Sequence, residues 1–577
     1  MLLWLLQQIQ GRCLKVNKEN NLKINGADII LKCLEEENVD IIFGYPGGAV
    51  LPLYDALYKN KNIRHILTRH EQGAGHAADG YARVTGRTGV VFATSGPGAT
   101  NLVTAIATAQ MDSIPLVCIT GQVARHFLGK QSFQEANIVD IVKPITKYSY
   151  QIRNVEELAT EIKKAFRIAG TGRKGPVLID VPKDITVDKA FFEYPVEVDY
   201  KFDKWGENEH TYQEVAKELV DCKKPLIFIG GGAQDAGDEV KKLAERLKSP
   251  VTYSLMGKGV LSDKHPLNIG MIGMHGTGAA NYAVSECDLM FAIGVRFDDR
   301  ETGDQVNFAK NAKVIHLDID KKEFNKNVRG HMYLHDDSAI GLFKLLKVMK
   351  DENYSHQTAW RKQIDTWREN HPLVYEKSGM IKPQEVIEAI NVASLGNAYV
   401  TTEVGQHQMW AAQYFEAASA RHFITSGGLG TMGFGLPAAM GVQLGKDGEL
   451  VVAIAGDGSI QMNSQELMTI SANNLPIKVV LLNNKSLGMV RQWQKMFFEE
   501  RYSHTLFKEI DQPDFVMLAN AYGIKARRIS ERADLVAEMT AAFNEAGPQF
   551  IEVVVDSGEN VFPMVPNGAA NDRMIFE

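Results

Sequence analysis

Cysteine is scarce in this chain: five residues in 577, Cys13, Cys33, Cys118, Cys222 and Cys287, with no CxxC pair among them. That spacing excludes a disulfide framework, and a reducing cytoplasm is the expected compartment. Proline is sparse too, at 19 residues, which leaves no proline-rich linker or collagen-like stretch. No apolar run approaches the roughly 20 residues that a bilayer requires, so no membrane partner is expected. Met1–Leu6 is apolar but stops at Gln7, with no basic segment ahead and no small-residue cleavage site behind, so residues 1–22 read as a loosely attached leader. Positive charge is not in excess either. Lys and Arg number 63 against 70 Asp and Glu, a net charge of −7 and a pI near 6.1, which argues against nucleic acid as a partner.

What is present is ordinary globular material, 45% hydrophobic and 23% charged, long enough for three or four domains at about 150 residues each. Glycine is the surplus: 50 residues, about 9% against an average near 7%, as expected of close-approach loops. Short Val/Ile/Leu runs bounded by Gly, Asp or Pro alternate with helical patterns. Nine of them, Gly89–Thr94, Leu116–Thr120, Val177–Val181, Leu226–Ile229, Leu289–Ile293, Val314–Ile319, Leu450–Ala455, Val479–Leu482 and Ile551–Val555, read as parallel strands buried on both faces. The fold class is α/β, with three doubly wound parallel-sheet domains. The rhythm breaks at residues 190–210 and again at 345–380, where Trp360, Ile364 and Trp367 share a helical face. The domains are then 23–190, 205–345 and 375–560, with a tail at 561–577. Thr94-Ser95-Gly96 and Thr425-Ser426-Gly427 each follow an apolar run, a faint echo between the first and third units.

Leu450–Ala455 runs into Gly456-Asp457-Gly458-Ser459, and the next strand ends at Asn483-Asn484. A glycine turn between strand and helix directs backbone N–H groups at an anion. An Asp and an Asn amide at neighbouring strand ends supply hard oxygen ligands, suited to Mg²⁺ bridging a diphosphate. Spacing and both ends resemble the thiamine diphosphate motif. The resemblance implies that Asp457, Asn484 and the carbonyl of Ser486 ligate Mg²⁺, with Gly456, Gly458 and Ser459 at the diphosphate. It further implies that Glu71, in Arg69-His70-Glu71-Gln72-Gly73, is the catalytic carboxylate at the cofactor's aminopyrimidine. Since Glu71 and Asp457 fall in different domains, it implies a site shared between two subunits, hence a homodimer or homotetramer.

Beyond these motifs the likeness runs from about Asn25 to the C-terminus and identifies the chain as similar to the catalytic subunits of acetohydroxyacid (acetolactate) synthases. Phe43–Ala49, Val404–Trp410 and Gly430–Gly435 carry it. Within that family Gln406 and His407 approach the diphosphate and Met432 supports the bent cofactor. In the middle unit Gly230-Gly231-Gly232 and Asp318, Ile319 have the pattern of a glycine turn with a distant acid, though GxGxxG is not satisfied, because position 235 is Asp. Gly273-Met274-His275 and Gly294–Arg300 resemble FAD contacts of the biosynthetic branch, Gly294 and Arg296 among them, and Arg173, Glu323 and Asp337 match further FAD positions. Substrate residues implied by the resemblance are Gln122, Phe133, Lys183, Met274, Arg300 and Trp493, with Arg300 offering a donor fork to a 2-oxo acid carboxylate. The chain departs from the family at Ala124, where several relatives have Pro, at Thr431, where many have Ala, and at Ser486, where many have His; only the last is expected beside the metal, where it contributes a backbone atom.

The implied activity is decarboxylation of pyruvate on thiamine diphosphate and condensation of the hydroxyethyl unit with pyruvate or 2-oxobutyrate, at the head of valine, leucine and isoleucine synthesis. FAD would be bound without net redox change, and a small regulatory subunit is an implied partner. The alternative is a flavin-dependent pyruvate oxidase, which shares fold and cofactors. The tail Phe562–Glu577 resembles a segment that closes over the active site.

Overall fold

The computed structural model describes residues 22–349 and 358–577; all but the last residue of the expected leader lies outside them, as does Cys13. The first domain carries strands β1 (Ile41–Gly44), β2 (Arg64–Leu67), β3 (Gly89–Ala93), β4 (Leu116–Gln122), β5 (Tyr148–Gln151) and β6 (Pro176–Pro182). The middle domain carries β7 (Pro225–Ile229), β8 (Val251–Tyr253), β9 (Asn268–Met271), β10 (Leu289–Ile293), β11 (Lys313–Asp318) and β12 (Met332–His335). In the third are β13 (Tyr399–Thr402), β14 (Phe423–Ile424), β15 (Val451–Gly456), β16 (Lys478–Asn483), β17 (Lys525–Ile529) and β18 (Gln549–Val554).

Each six-stranded sheet is parallel throughout. The first runs β2-β1-β3-β4-β6-β5 and the third β14-β13-β15-β16-β18-β17, the same order position for position. The echo between their glycine turns therefore has a topological counterpart. The middle sheet, β9-β8-β7-β10-β11-β12, has the 3-2-1-4-5-6 order of dinucleotide-binding folds. The central strands β3, β4, β6, β7, β10, β15 and β16 are buried at every position, because helices cover both faces.

First and third domains meet along two helices, α1 (Glu71–Thr85) and α3 (Gly435–Gly445); between them in the chain lies α2 (Val103–Asp112), and after them α4 (Glu466–Ala472). Glycine permits the α1–α3 crossing: a Cβ on Gly80 would stand 2.2 Å from the Ala438 carbonyl oxygen, and one on Gly441 1.8 Å from that of Ala77. The helix Thr358–Asn370 falls in the stretch expected to separate domains, yet it belongs to the middle core. Trp360 and Ile364 are buried there, and the Trp360 indole donates to Pro225 O at 2.9 Å. The tail returns to the same domain. Val561, Met564, Val565 and Asn571 are buried, and the Asp304 N–H donates to Ala569 O at 3.0 Å.

Candidate active site and cofactor cavities

β15 and β16 are parallel neighbours, so the turns that follow them place Asp457 and Asn484 side by side. The Ser486 N–H bridges the pair, donating to Asp457 Oδ2 at 3.1 Å and to Asn484 Oδ1 at 3.2 Å. Gln406 Oε1 accepts from Asn484 Nδ2 at 3.3 Å, while its own amide donates to Gln492 Oε1 at 2.8 Å. Those contacts fix the Asn484 amide with its oxygen toward Asp457. Burial pushes the Asp457 carboxyl up to about 7, against the lowering effect of hydrogen bonds from Gln512, Gly458 and Ser486. A buried carboxylate beside an amide oxygen and a nearby backbone carbonyl suits a hard divalent cation. Among the described residues no cluster of three His, Cys, Asp or Glu offers another metal site.

A cavity of about 90 Å³ opens in front of these groups. Gln406, His407, Met432, the turn Gly456–Ser459, Asn484 and Ser486 all line it, so the nine residues read for diphosphate and metal come together. His407 packs so closely that a Cβ on Gly456 would stand 2.6 Å from its Nδ1. Burial holds the imidazole down at about 3, hence neutral, and its Nε2 has no hydrogen-bond partner among the described residues. An unpartnered buried ring nitrogen beside a glycine turn is a fit to a phosphate oxygen.

Glu71 opens α1, after His70, whose ring nitrogen accepts the Gln72 N–H at 3.1 Å. Its carboxylate is buried, and Oε2 accepts from Asn101 Nδ2 at 2.9 Å. A Cβ on Gly98 would come within 3.2 Å of Oε1, so glycine keeps that side open. Glu71 does not line the Asp457 cavity. Two carboxylates that sequence reasoning missed support these parts. Glu466 of α4 accepts the N–H groups of Arg69 and His70, each at 3.0 Å, and ties the start of α1 to the third domain. Glu403 accepts from Gly433 N at 2.6 Å and Leu436 N at 2.9 Å, and holds the chain just past Met432. Burial pushes each of these carboxyls up to about 7.

A larger cavity, about 220 Å³, lies where the three domains meet. Of the residues read for FAD, Arg173, Gly231, Gly232, Gly294, Arg296, Asp318, Ile319, Glu323 and Asp337 line it; Gly230, Gly273, Met274 and His275 do not. Gly230 is packed instead, since a Cβ there would meet Gly294 O at 2.3 Å. Gly273 has φ +94°, and its Cβ would meet Arg300 O at 2.2 Å. The glycines at the end of β7, the acid Asp318 at the end of β11, and Arg173 and Arg296 are a donor and acceptor set that fits a dinucleotide. Arg173 Nη1 is paired with Glu323 Oε1 at 2.5 Å. Arg83, Asp112 and Arg421, from the outer domains, also line the cavity; nothing in their local sequence pointed there.

The residues read for substrate fall in two groups. The Arg300 guanidinium lies 6.0 Å from the Trp493 ring centroid, and Nη1 is 3.9 Å from Met274 Sδ. Gln122 and Pro182 are register partners at the ends of β4 and β6, which puts Gln122 and the exposed Lys183 at one edge of the first domain. Gln122 Nε2 donates to Asp180 Oδ2 at 3.0 Å. Phe133, in the loop beyond β4, is 88% exposed.

Family models match each domain in turn: the N-terminal TPP binding domain of thiamine pyrophosphate enzymes over residues 24–141, their central domain over 212–345, and their C-terminal TPP binding domain over 403–553. Relatives are similar along nearly the whole of this chain and of their own length. The acetolactate synthase large subunit of Cyanidium caldarium is 46% identical over 574 residues, 97% of this chain and 98% of that protein. The isozyme 2 large subunit of Escherichia coli K12 is 44% identical, covering 96% of this chain and 99% of its own. Acetolactate synthase of Mycobacterium bovis is also 44% identical, over 96% of this chain and 91% of that one.

Proposed function

The chain belongs to the acetolactate synthase large-subunit family of thiamine diphosphate enzymes, and we propose on that footing that it joins a two-carbon unit from pyruvate, with loss of CO₂, to a second 2-oxo acid. With pyruvate as acceptor the product is 2-acetolactate; with 2-oxobutyrate it is 2-aceto-2-hydroxybutyrate, and each is a precursor in branched-chain amino acid synthesis. The observation that carries this reading is the convergence of Asp457, Asn484 and the unpartnered His407 on one cavity at adjacent strand ends.

Thiamine diphosphate, when bound, supplies an electron sink for the carbon left by decarboxylation. Asp457, Asn484 and the Ser486 carbonyl would hold its Mg²⁺, with Gln406, His407 and the Gly456–Ser459 turn around the diphosphate and Met432 as apolar support. Glu71 would face the aminopyrimidine and exchange a proton at Oε1: Asn101 occupies Oε2, and the absence of a side chain at Gly98 leaves Oε1 room. Arg300 presents a planar fork to a carboxylate, and Trp493 beside it meets the acceptor's alkyl group. FAD would lie in the three-domain cavity along Gly231, Gly232 and Gly294, with Arg173 and Arg296 at its phosphates.

Glu71, Gln122, Phe133 and Lys183 belong to the first domain, whereas the Asp457 cavity is lined only from the third. A second copy of the chain that places its first-domain edge over this cavity would complete the site, which supports a homodimer. The relatives' designation as large subunits supports a small regulatory partner, and the chemistry supports a cytoplasmic place. Among the described residues no helix is long and apolar enough to cross a membrane. The test is anaerobic incubation with pyruvate, Mg²⁺, thiamine diphosphate and FAD, followed by acid release of acetoin. Acetoin is expected with the flavin still oxidised; its absence, or stoichiometric flavin bleaching, would overturn the reading.

A further inference from the structure

Helix α2 of the first domain ends against residues 425–434 of the third, and its side chains grip that segment. The Thr108 hydroxyl lies 2.7 Å from that of Thr431 in a buried pair. Because Thr108 also donates to Thr104 O at 2.9 Å, Thr431 is the donor of the pair. One turn further on, the Asp112 carboxylate has no exposed surface. It accepts the Gly427 N–H at 3.2 Å and the Gly428 N–H at 2.7 Å, one on each oxygen.

Arg83 of α1 neutralises Asp112, with Nη2 at 2.9 Å, and also pairs with Asp79. The same guanidinium donates to Thr425 O at 3.0 Å and lies 5.1 Å from the Phe434 ring centroid. The segment is thereby held at its start, its glycines, Thr431 and its end, all by first-domain side chains. The glycines themselves are tightly packed: a Cβ on Gly427 would stand 2.4 Å from Met256 Sδ, and one on Gly428 2.9 Å from Asp112 Oδ1.

Gly427, Gly428, Gly430 and Gly433 make this the most glycine-dense stretch of the third domain, and glycine has the most freedom to lose when a loop is ordered. Met432, in its midst, lines the Asp457 cavity. If the loop held its binding conformation only part of the time, apparent cofactor affinity would fall by that fraction.

We propose that Asp112, braced by Arg83 and joined by Thr108, is a positioning residue for thiamine diphosphate: it pre-orders the 425–434 loop so that Met432 already stands in the cavity. Asp112 touches neither the diphosphate cavity nor a substrate residue. Asp112 does line the flavin cavity, but its carboxylate oxygens are committed to the N–H groups of the loop backbone. The proposal rests on the thiamine diphosphate reading above.

The experiment is calorimetric binding of thiamine diphosphate with saturating Mg²⁺ and FAD to the full chain, in wild type, Asp112→Asn, Asp112→Glu and Thr431→Ala. Loss of charge-assisted bonds to two N–H groups is expected to weaken binding about tenfold in Asp112→Asn. Thr431→Ala is expected to cost about two- to fivefold, and Asp112→Glu to recover part of the loss. The KM for thiamine diphosphate should rise by the same factors, and in Thr431→Ala, whose side chain lines neither cavity, kcat at saturation should stay within about twofold of wild type, a split that general loss of folded protein does not produce. If Asp112→Asn does not fold, Thr431→Ala, which removes one hydroxyl and one methyl, decides. Wild-type affinity in the variants overturns the proposal alone; a wild-type chain that binds no thiamine diphosphate overturns the functional reading and the proposal with it.

Discussion

The α1–α3 crossing gives the most quantitative expectation. Gly441→Ala adds one carbon, which would lie 1.8 Å from Ala77 O, 2.6 Å from Tyr81 N and 2.8 Å from Ala77 C. Ordinary contact begins at 3.4 Å, so the helices must part by about 1.6 Å at this point. All three atoms met are backbone, and no rotamer change relieves the clash. Overpacking of this kind costs about 1–3 kcal/mol or more, and alanine's better helix propensity returns about 1 kcal/mol. With the overlap at the severe end, we expect a net loss of about 2 kcal/mol. For domains of this size that corresponds to a melting temperature lower by about 4–8 °C. The neighbouring geometry sharpens the point. Glu71 begins one helix and Met432 precedes the other, so activity at 25 °C should fall together with stability. Gly170→Ala is the control, since a Cβ there meets nothing within 4 Å and should leave the melting temperature within about 1 °C. Scanning calorimetry with both cofactors present is the assay. A Gly441→Ala protein that melts at or above wild type would refute the claim that glycine is needed for this approach.

Glu71→Gln should lower turnover by about 10²- to 10⁴-fold while thiamine diphosphate binding stays within a few fold, since the diphosphate anchors lie elsewhere; more than a tenth of wild-type rate would remove Glu71 from the proton path. Ser486→Ala should leave Mg²⁺ affinity within about twofold, because only its carbonyl is asked to ligate and its hydroxyl, buried without a partner, contributes no bond; a tenfold loss in titrations would assign the hydroxyl a role. Glu403→Gln should change stability in a pH-dependent way. Burial raises this carboxyl from 4.5 to about 7 in the folded chain, so the stability the group contributes is full below pH 4.5 and is lost as pH rises through 7. Glutamine does not ionise, so the variant's melting-temperature deficit should shrink between pH 5.5 and pH 8, and a deficit that grows with pH would contradict the buried-carboxyl argument.

The strands legible in the sequence are those buried on both faces. Leu289–Ile293 and Val479–Leu482 read as continuous apolar runs because helices cover them above and below. Edge strands were not read: Arg64–Leu67, Tyr148–Gln151 and Lys525–Ile529 carry charged, aromatic or polar residues on partly exposed faces, and without a continuous apolar run they resemble loops. The same division holds in the site. Asp457 and Asn484 could be read because a strand, a turn and the next strand fix their spacing within 30 residues of chain. Glu466 and Asp112 could not: the N–H groups they accept lie 396 to 397 and 315 to 316 positions away, and a carboxylate that serves a distant backbone leaves no local pattern. These unread carboxylates all lie between the first and third domains or at the loop they share. The sequence thus exposes the groups that would meet the cofactor, while the groups that hold those in place emerge only when two domains of identical strand order are packed through α1, α2 and α3. Substitutions at Asp112, Glu403 or Glu466 should therefore act through the position of Glu71 and Met432 rather than by removing a contact to the cofactor. The signature would be weakened thiamine diphosphate binding where the 425–434 loop is released, at Asp112 or Glu403, and slower turnover with binding kept where Glu71 is displaced, at Glu466.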